Sequence, residues 1–288
     1  MMINKNIFIL LLSTVLISNA CQEEPPFIDM SKKNILLLDT SYYINPIPAA
    51  QLKNVLLEDV SGVKCSNCPK AAEKAEDLLN VHQERLAVLT LMPDKNLLAE
   101  FTDFAPDYAN VSLNKVNQLL NFLTPPGAMP IGMIDRTDHG NGLMSVFPLW
   151  ADGVNIQMAK TTNVNIELET AFESSLNQLL VTVTTIYTQT PLDTNQNITL
   201  VLNESKIIGK QKTPTGDDTY YEFKHIVREY ATLPVGDPLP TPKAGLAVKR
   251  QYVFDIPSNW KLANCEVVAF VHSSKSKIVF QAKKKKAI

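Results

Sequence analysis

The chain has 288 residues, 45% of them apolar and 19% charged, and a formal net charge of −2 at pH 7. That length is enough for two ordinary domains. The near balance of charge excludes the global basic field that would draw in nucleic acid. Only Lys283–Lys286 form a one-signed run, and at the end of the chain such a run reads as a solvated tail.

The first residues read as an export signal. A polar start with Lys5 is followed by the apolar run Ile7–Ile17 and then by Ser18-Asn19-Ala20. These are the three parts of a secretory signal peptide over residues 1–20. The apolar run is shorter than the roughly 17–25 residues needed to cross a bilayer. Cys21 follows directly, and a cysteine at that place resembles the bacterial lipobox, although Ser18 stands where that motif usually has leucine. The expectation is a lipid on Cys21, which holds the protein to the outer membrane, facing the periplasm or the surface. Plain secretion with an unmodified cysteine is the alternative. Residues 21–49 read as the lipidated cysteine, a tether rich in proline and acid (Glu23-Glu24-Pro25-Pro26), and a first strand within Asn34–Ile44. Asn45-Pro46-Ile47-Pro48 ends that strand.

Residues 50–160 alternate between strand and helix signals. Asn54–Val60 reads as a buried strand, and Ser61-Gly62 turns the chain. After Cys65-Ser66-Asn67-Cys68-Pro69, Ala71, Ala75, Leu78 and Leu79 recur at helical spacing as far as His82. Pro69 suits a first helical turn, where its missing N–H costs nothing. Leu86–Leu91 is a second apolar strand, so the two strands are expected to be parallel and joined by a crossover helix. Residues 96–123 read as helical with a break near Pro106. Pro130–Asp135 and Leu143–Phe147 read as a hairpin, and residues 148–160 as a last helix with Trp150, Val154 and Met158 on one face.

From residue 161 to 288 the pattern changes to short β-prone runs. These are Val164–Leu168, Leu179–Tyr187, Ile198–Leu202, Phe223–Tyr230, Leu246–Phe254, Cys265–His272 and Ile278–Ala282. With no strong helix among them, they predict a β-sandwich.

Cys65 and Cys68 carry the candidate chemistry. They lie between a buried strand and a helix N-terminus, where unpaired N–H groups and the helix dipole favour a thiolate. Lys64 adds positive charge. In an oxidising compartment the pair can close a disulfide. Cys65, nearer the turn, would attack and Cys68 would resolve. Two alternatives stand beside this one: a static disulfide that pins the helix start, and a metal site. A structural zinc needs four ligands, and no second close pair or suitably spaced histidine exists, so neither a metal nor a small-molecule cofactor is expected. Cys265 reads as a buried apolar thiol.

Strand, Cys-x-x-Cys-Pro, helix, strand and then a proline-led strand resemble the thioredoxin fold. Met129-Pro130-Ile131 matches the place of that fold's cis-proline, which implies that Pro130 holds an incoming chain against the cysteines. Asp59 matches its buried aspartate. By strand alternation Asp59 shares a face with Val55 and Leu57, so its pKa should rise and it could act as a base. Lys64 and the central Ser66-Asn67 depart from the thioredoxin pattern. A wider resemblance rests on Val55-Leu56-Leu57-Glu58-Asp59, Gly62, Cys65-x-Asn67-Cys68-Pro69, Lys224–Tyr230 and Val267–Val271. These are similar to the outer membrane protein twenty-eight lipoproteins of the Bacteroidetes. That resemblance implies a thioredoxin-like α/β domain (50–160) followed by an immunoglobulin-like β-sandwich (161–288). Two functions follow: thiol–disulfide exchange on envelope proteins, or a non-catalytic surface binding or adhesion protein with a structural Cys65–Cys68 bond. In either case the partners are a membrane and another protein.

Overall fold

The structure is a computed structural model, and it describes residues 36–93, 97, 113–140 and 142–288. The expected signal at 1–20, Cys21 and the tether at 22–33 lie outside the described residues, as does most of the stretch 96–112 expected to be helical. Among the described residues no helix is long and apolar enough to cross a membrane.

The α/β part forms around β2 (Val55–Val60). It runs parallel to β3 (Leu86–Leu91) and antiparallel to β4 (Ile131–Ile134). Helix α1 (Cys68–His82) connects β2 to β3. Every residue of β2 and β3 is buried, as expected of strands covered on both faces. Val55, Leu57, Leu86 and Val88 meet Ala71, Ala75 and Leu78 of α1, and Trp150 and Val154 of α3 (Trp150–Met158). Leu56, Val60, Ala87 and Leu89 point the other way, into a cluster with Val116, Leu119 and Leu120 of α2 (Leu113–Leu123). Positions 71, 75 and 78 form a single helical stripe, and each large side chain buried this way contributes about 1.5–3 kcal/mol. Gly132 in β4 lets Trp150 close on the strand. A Cβ there would fall 2.6 Å from the indole ring.

The expected run of strands after residue 160 is present. It comprises β5 (Val164–Glu173), β6 (Gln178–Tyr187), β7 (Gln196–Glu204), β8 (Ile207–Thr213) and β9 (Gly216–Phe223). After these come β10 (Ile226–Tyr230), β11 (Asp237–Pro238), β12 (Leu246–Asp255), β13 (Cys265–Ser273) and β14 (Val279–Lys286). A four-stranded sheet has the order β1-β12-β6-β5, where β1 is Leu38–Tyr43. The early strand therefore joins the late ones, pairing with β12 along its whole length. Inward residues of this sheet, such as Val164, Val181, Tyr187 and Tyr252, pack on Leu200, Leu202, Val267 and Ala269 of β7 and β13.

The larger sheet has the order β14-β13-β7-β10-β3-β2-β4, with β11 beside β7. Strands from both sides of residue 160 share it. They meet where β10 lies parallel to β3, with Ile226 opposite Thr90. The chain is thus a mixed and predominantly β fold.

Three local expectations are corrected. Phe223–Tyr230 is not one strand: it breaks at Lys224-His225, where His225 adopts φ 56°, and Phe223 belongs instead to the β8–β9 hairpin. Leu143–Phe147 contributes only a bridge from Ser145 to Gly132. Lys283–Lys286 are no frayed tail, because they pair with Glu266–Ala269 of β13. A complete ladder partner holds the backbone, while Lys283 and Lys284 are half-buried and Lys285 and Lys286 exposed.

Candidate functional site

The strand β2 ends at Val60, and the chain then folds back on itself. Cys65 N–H donates to Gly62 O (3.0 Å) and Cys68 N–H to Cys65 O (3.2 Å). These turns bring the two cysteines onto the start of α1, where they are joined as a disulfide with Cα atoms 5.4 Å apart. No side chain caps the helix at Asn67. The Met129–Pro130 peptide bond is cis, and Met129 belongs to the apolar cluster that also contains Cys65 and Cys68.

Asp59 sits near the end of β2, opposite Thr90 on β3 and Gly132 on β4. It is 1% exposed, and its Oδ1 has no hydrogen-bond partner. Burial pushes its pKa up to about 7, because a low-dielectric site disfavours the charged carboxylate. Asp59 and Cys68 line one small cavity of about 20 Å³, together with Pro69, Thr90 and Tyr221. That is room for about one water molecule. Burial and the surrounding carboxylates, Asp59 first, push the Tyr221 hydroxyl up to about 12.

Both cysteines are only 2% exposed. The β8–β9 hairpin, a two-stranded sheet of its own, lies against the turn that carries Cys65 and lines the cavity beside Cys68. Gln211 Nε2 donates to Cys65 O (3.0 Å) and Gly62 O (3.2 Å). Lys212 N–H donates to Val63 O (2.8 Å). Phe223 packs with Val63, Met92 and Ile226, and Tyr221 lies against that group. The foot of the hairpin is tied to α1: Lys224 Nζ and His225 Nε2 donate to the two oxygens of Glu76, each at 2.8 Å. His225, then Lys224, hold the Glu76 carboxyl down at about 2.

Of the residues singled out in the sequence, Asp59 and Cys68 thus line one cavity, while Cys65, Cys68 and the cis-proline loop share an apolar cluster with Leu56 and Val60. Cys21 lies outside the described residues. Cys265 is free and buried. Its thiol is pushed up to about 12, chiefly by burial, so it is an inert core residue. Gln211, Tyr221 and the Glu76–His225 tie had no signal in the sequence. Among the described residues, no group of three or more His, Cys, Asp or Glu could hold a metal ion.

The sequence profile of the family described as outer membrane protein Omp28 matches residues 126–288. That is more than half of the chain. The chain belongs to the Omp28 family. It is accordingly an outer membrane protein. The matched region contains Pro130 and the whole late strand series, and it begins after Asp59, Cys65 and Cys68. HBP35 of Porphyromonas gingivalis is similar in structure, with a TM-score of 0.66 at 17% identity over 83% of this chain and 76% of that one. At that identity the likeness concerns the fold. A domain of the outer membrane lipoprotein Omp28 from Porphyromonas gingivalis also matches. Its TM-score is 0.31 at 14% identity, covering 43% of this chain and 88% of that one. No curated protein matches the chain.

Proposed function

We propose that this Omp28-family protein carries out thiol–disulfide exchange on envelope proteins, with Cys65 as the exchanging sulfur, Cys68 as the resolving one and Asp59 as proton carrier. The observation that carries the reading is Asp59. A disulfide that serves only as a staple has no use for a buried, unpaired carboxylate beside it, and such a group costs stability. Perturbed carboxylates of this kind cluster at sites of chemistry. With the pair oxidised, a substrate thiolate attacks Cys65 and the Cys65–Cys68 bond breaks. Cys68 leaves as thiolate and takes the proton of Asp59, directly or through one water. A second substrate thiol then attacks the mixed disulfide. Two electrons and two protons pass from the substrate to the pair, and reduction of a substrate disulfide is the reverse. Pro130 would position the partner chain. The hairpin covers Cys65, so exchange requires it to move aside.

The surrounding architecture supports a thioredoxin-like region over 50–160, with the parallel β2–α1–β3 unit and antiparallel β4. An immunoglobulin-like sandwich over 161–288, joined by β1, is supported by the two facing sheets. Because these parts share a sheet, the division at residue 160 is one of chain order. Lipid on Cys21 after removal of 1–20 completes the reading. The tether would then lead into β1 of the four-stranded sheet.

A specific observation favours a second reading. With both sulfurs covered, the bond could be a permanent staple in a surface binding protein. Insulin reduction, the reduction potential and trapping in the Cys68→Ser variant separate the two. Exchange predicts turnover and mixed disulfides on Cys65. A potential below about −300 mV without turnover or trapped partner establishes the staple.

A further inference from the structure

Away from the disulfide, a cavity of about 320 Å³ opens between the segment after α3, the loop that follows β6 and the start of β14. That size falls in the range of small-molecule sites, roughly 300–1,000 Å³. Its walls carry two kinds of group. Tyr187, Leu192 and Phe280 supply its apolar surface, with Tyr187 buried and Leu192 fully exposed at the rim. Lys53, Gln157 and Lys160 are donors, and Asp193 is the one carboxylate of the lining.

The donors are under-matched. Gln157 is 1% exposed, and its side-chain NH₂ has no hydrogen-bond partner. Leaving such a donor buried is costly unless an acceptor arrives. Lys53 is buried, and its ammonium donates to Asp135 Oδ2 (2.6 Å) and Asn54 O (2.8 Å), leaving one of its three N–H groups. Burial first, then Lys160 and Arg85, hold its pKa below the ordinary lysine value, and Asp135 opposes them. Arg85 donates to the backbone oxygens of Lys53 and Met158, so those bonds leave its charge uncancelled. In the lining itself two cations, Lys53 and Lys160, accompany the one carboxylate, Asp193.

We propose that this cavity is a binding site for a small amphipathic anion, a carboxylate carried on an apolar chain or ring. The carboxylate accepts from Gln157 and is held by Lys53 and Lys160, while the apolar body lies against Tyr187, Leu192 and Phe280. The site is independent of the disulfide chemistry.

Calorimetric titration of the purified full chain with octanoate tests it, with octanol and octylamine as head-group controls. Octanoate should bind saturably at one site, with octanol weaker by about ten-fold and octylamine weaker still. Lys160 is exposed, so Lys160→Glu keeps the fold. It should weaken octanoate by about ten-fold and leave octanol unchanged. Leu192→Asp, also at an exposed position, should weaken both. Octanol binding as tightly as octanoate would reduce the cavity to an apolar cleft and overturn the proposal. So would an unchanged octanoate affinity in Lys160→Glu, or the absence of saturable binding.

Discussion

Two neighbouring residues of β2 bury a carboxylate each, on opposite faces of the same sheet, and the fold treats them differently. Glu58 is held by Arg136, whose Nε and Nη2 donate to its two oxygens at 2.8 and 2.7 Å. The guanidinium also lies over the Phe270 ring, 5.0 Å from its centre. Asp59, one residue on, has no such partner. The contrast shows that this sheet can satisfy a buried acid where the acid is structural. On the face beside Cys68 the acid is left able to gain and lose a proton near neutrality.

The largest expected effect lies on the paired face. Arg136→Leu leaves Glu58 without its partner in the core. Breaking a buried pair in this way costs about 3–5 kcal/mol, which urea or thermal unfolding will show. Replacing Glu58 and Arg136 together with leucines should recover most of that loss. If the single and double variants were equally unstable, the pair would not be what satisfies Glu58.

Next comes the unpaired face. The ordinary value for an aspartate is 3.8, and folding raises Asp59 to about 7. Between these values the folded chain binds the proton more tightly than the unfolded one, so stability falls as pH rises across that window. Asp59→Asn should abolish the fall. At pH 8 the variant should be more stable than the parent by on the order of 2–4 kcal/mol, with little difference below pH 4. It should also slow exchange by the Cys65–Cys68 pair. An unchanged pH slope would assign the titration to another group.

A smaller effect concerns what separates the disulfide from solvent. Gln211→Ala removes the donors to Cys65 O and Gly62 O and should cost about 1–2 kcal/mol. It should also speed reduction of the disulfide by dithiothreitol. The same rate in both proteins would mean that the hairpin does not govern access to the sulfurs.

The legible and illegible parts of this site divide by sequence distance. The strand–helix–strand unit could be read because apolar runs and the 71–75–78 stripe are local patterns. Asp59 could be read because strand alternation fixes its face from residues two and four positions away. Gln211 lies 146 residues from Cys65, and β8 and β9 are too polar to announce a strand that packs on anything. The Glu58–Arg136 pair spans 78 positions. Lys283–Lys286 mislead for a related reason: composition alone signals solvent, while the ladder that orders them comes from β13. The shared sheet escapes the sequence too, since among the described residues its halves pair through the single parallel register of Ile226 and Thr90.

The smallest expected effect tests how the hairpin is rooted. Glu76 is partly exposed, so the bonds from His225 and Lys224 are screened and worth at most about 1 kcal/mol. Folding lowers its pKa from 4.5 to about 2. Its contribution is therefore complete above pH 4.5 and disappears as pH falls toward 2. Glu76→Gln should remove that acid-dependent part and leave stability nearly unchanged at pH 2. Hydrogen exchange gives the sharper reading. If Glu76 fastens the hairpin, the amides of β8 and β9 should exchange faster in the variant at pH 7 while those of β5 and β6 do not change. Equal exchange in β8 and β9 would mean that other contacts, the hydrogen bonds of Gln211 and Lys212 among them, hold the hairpin in place.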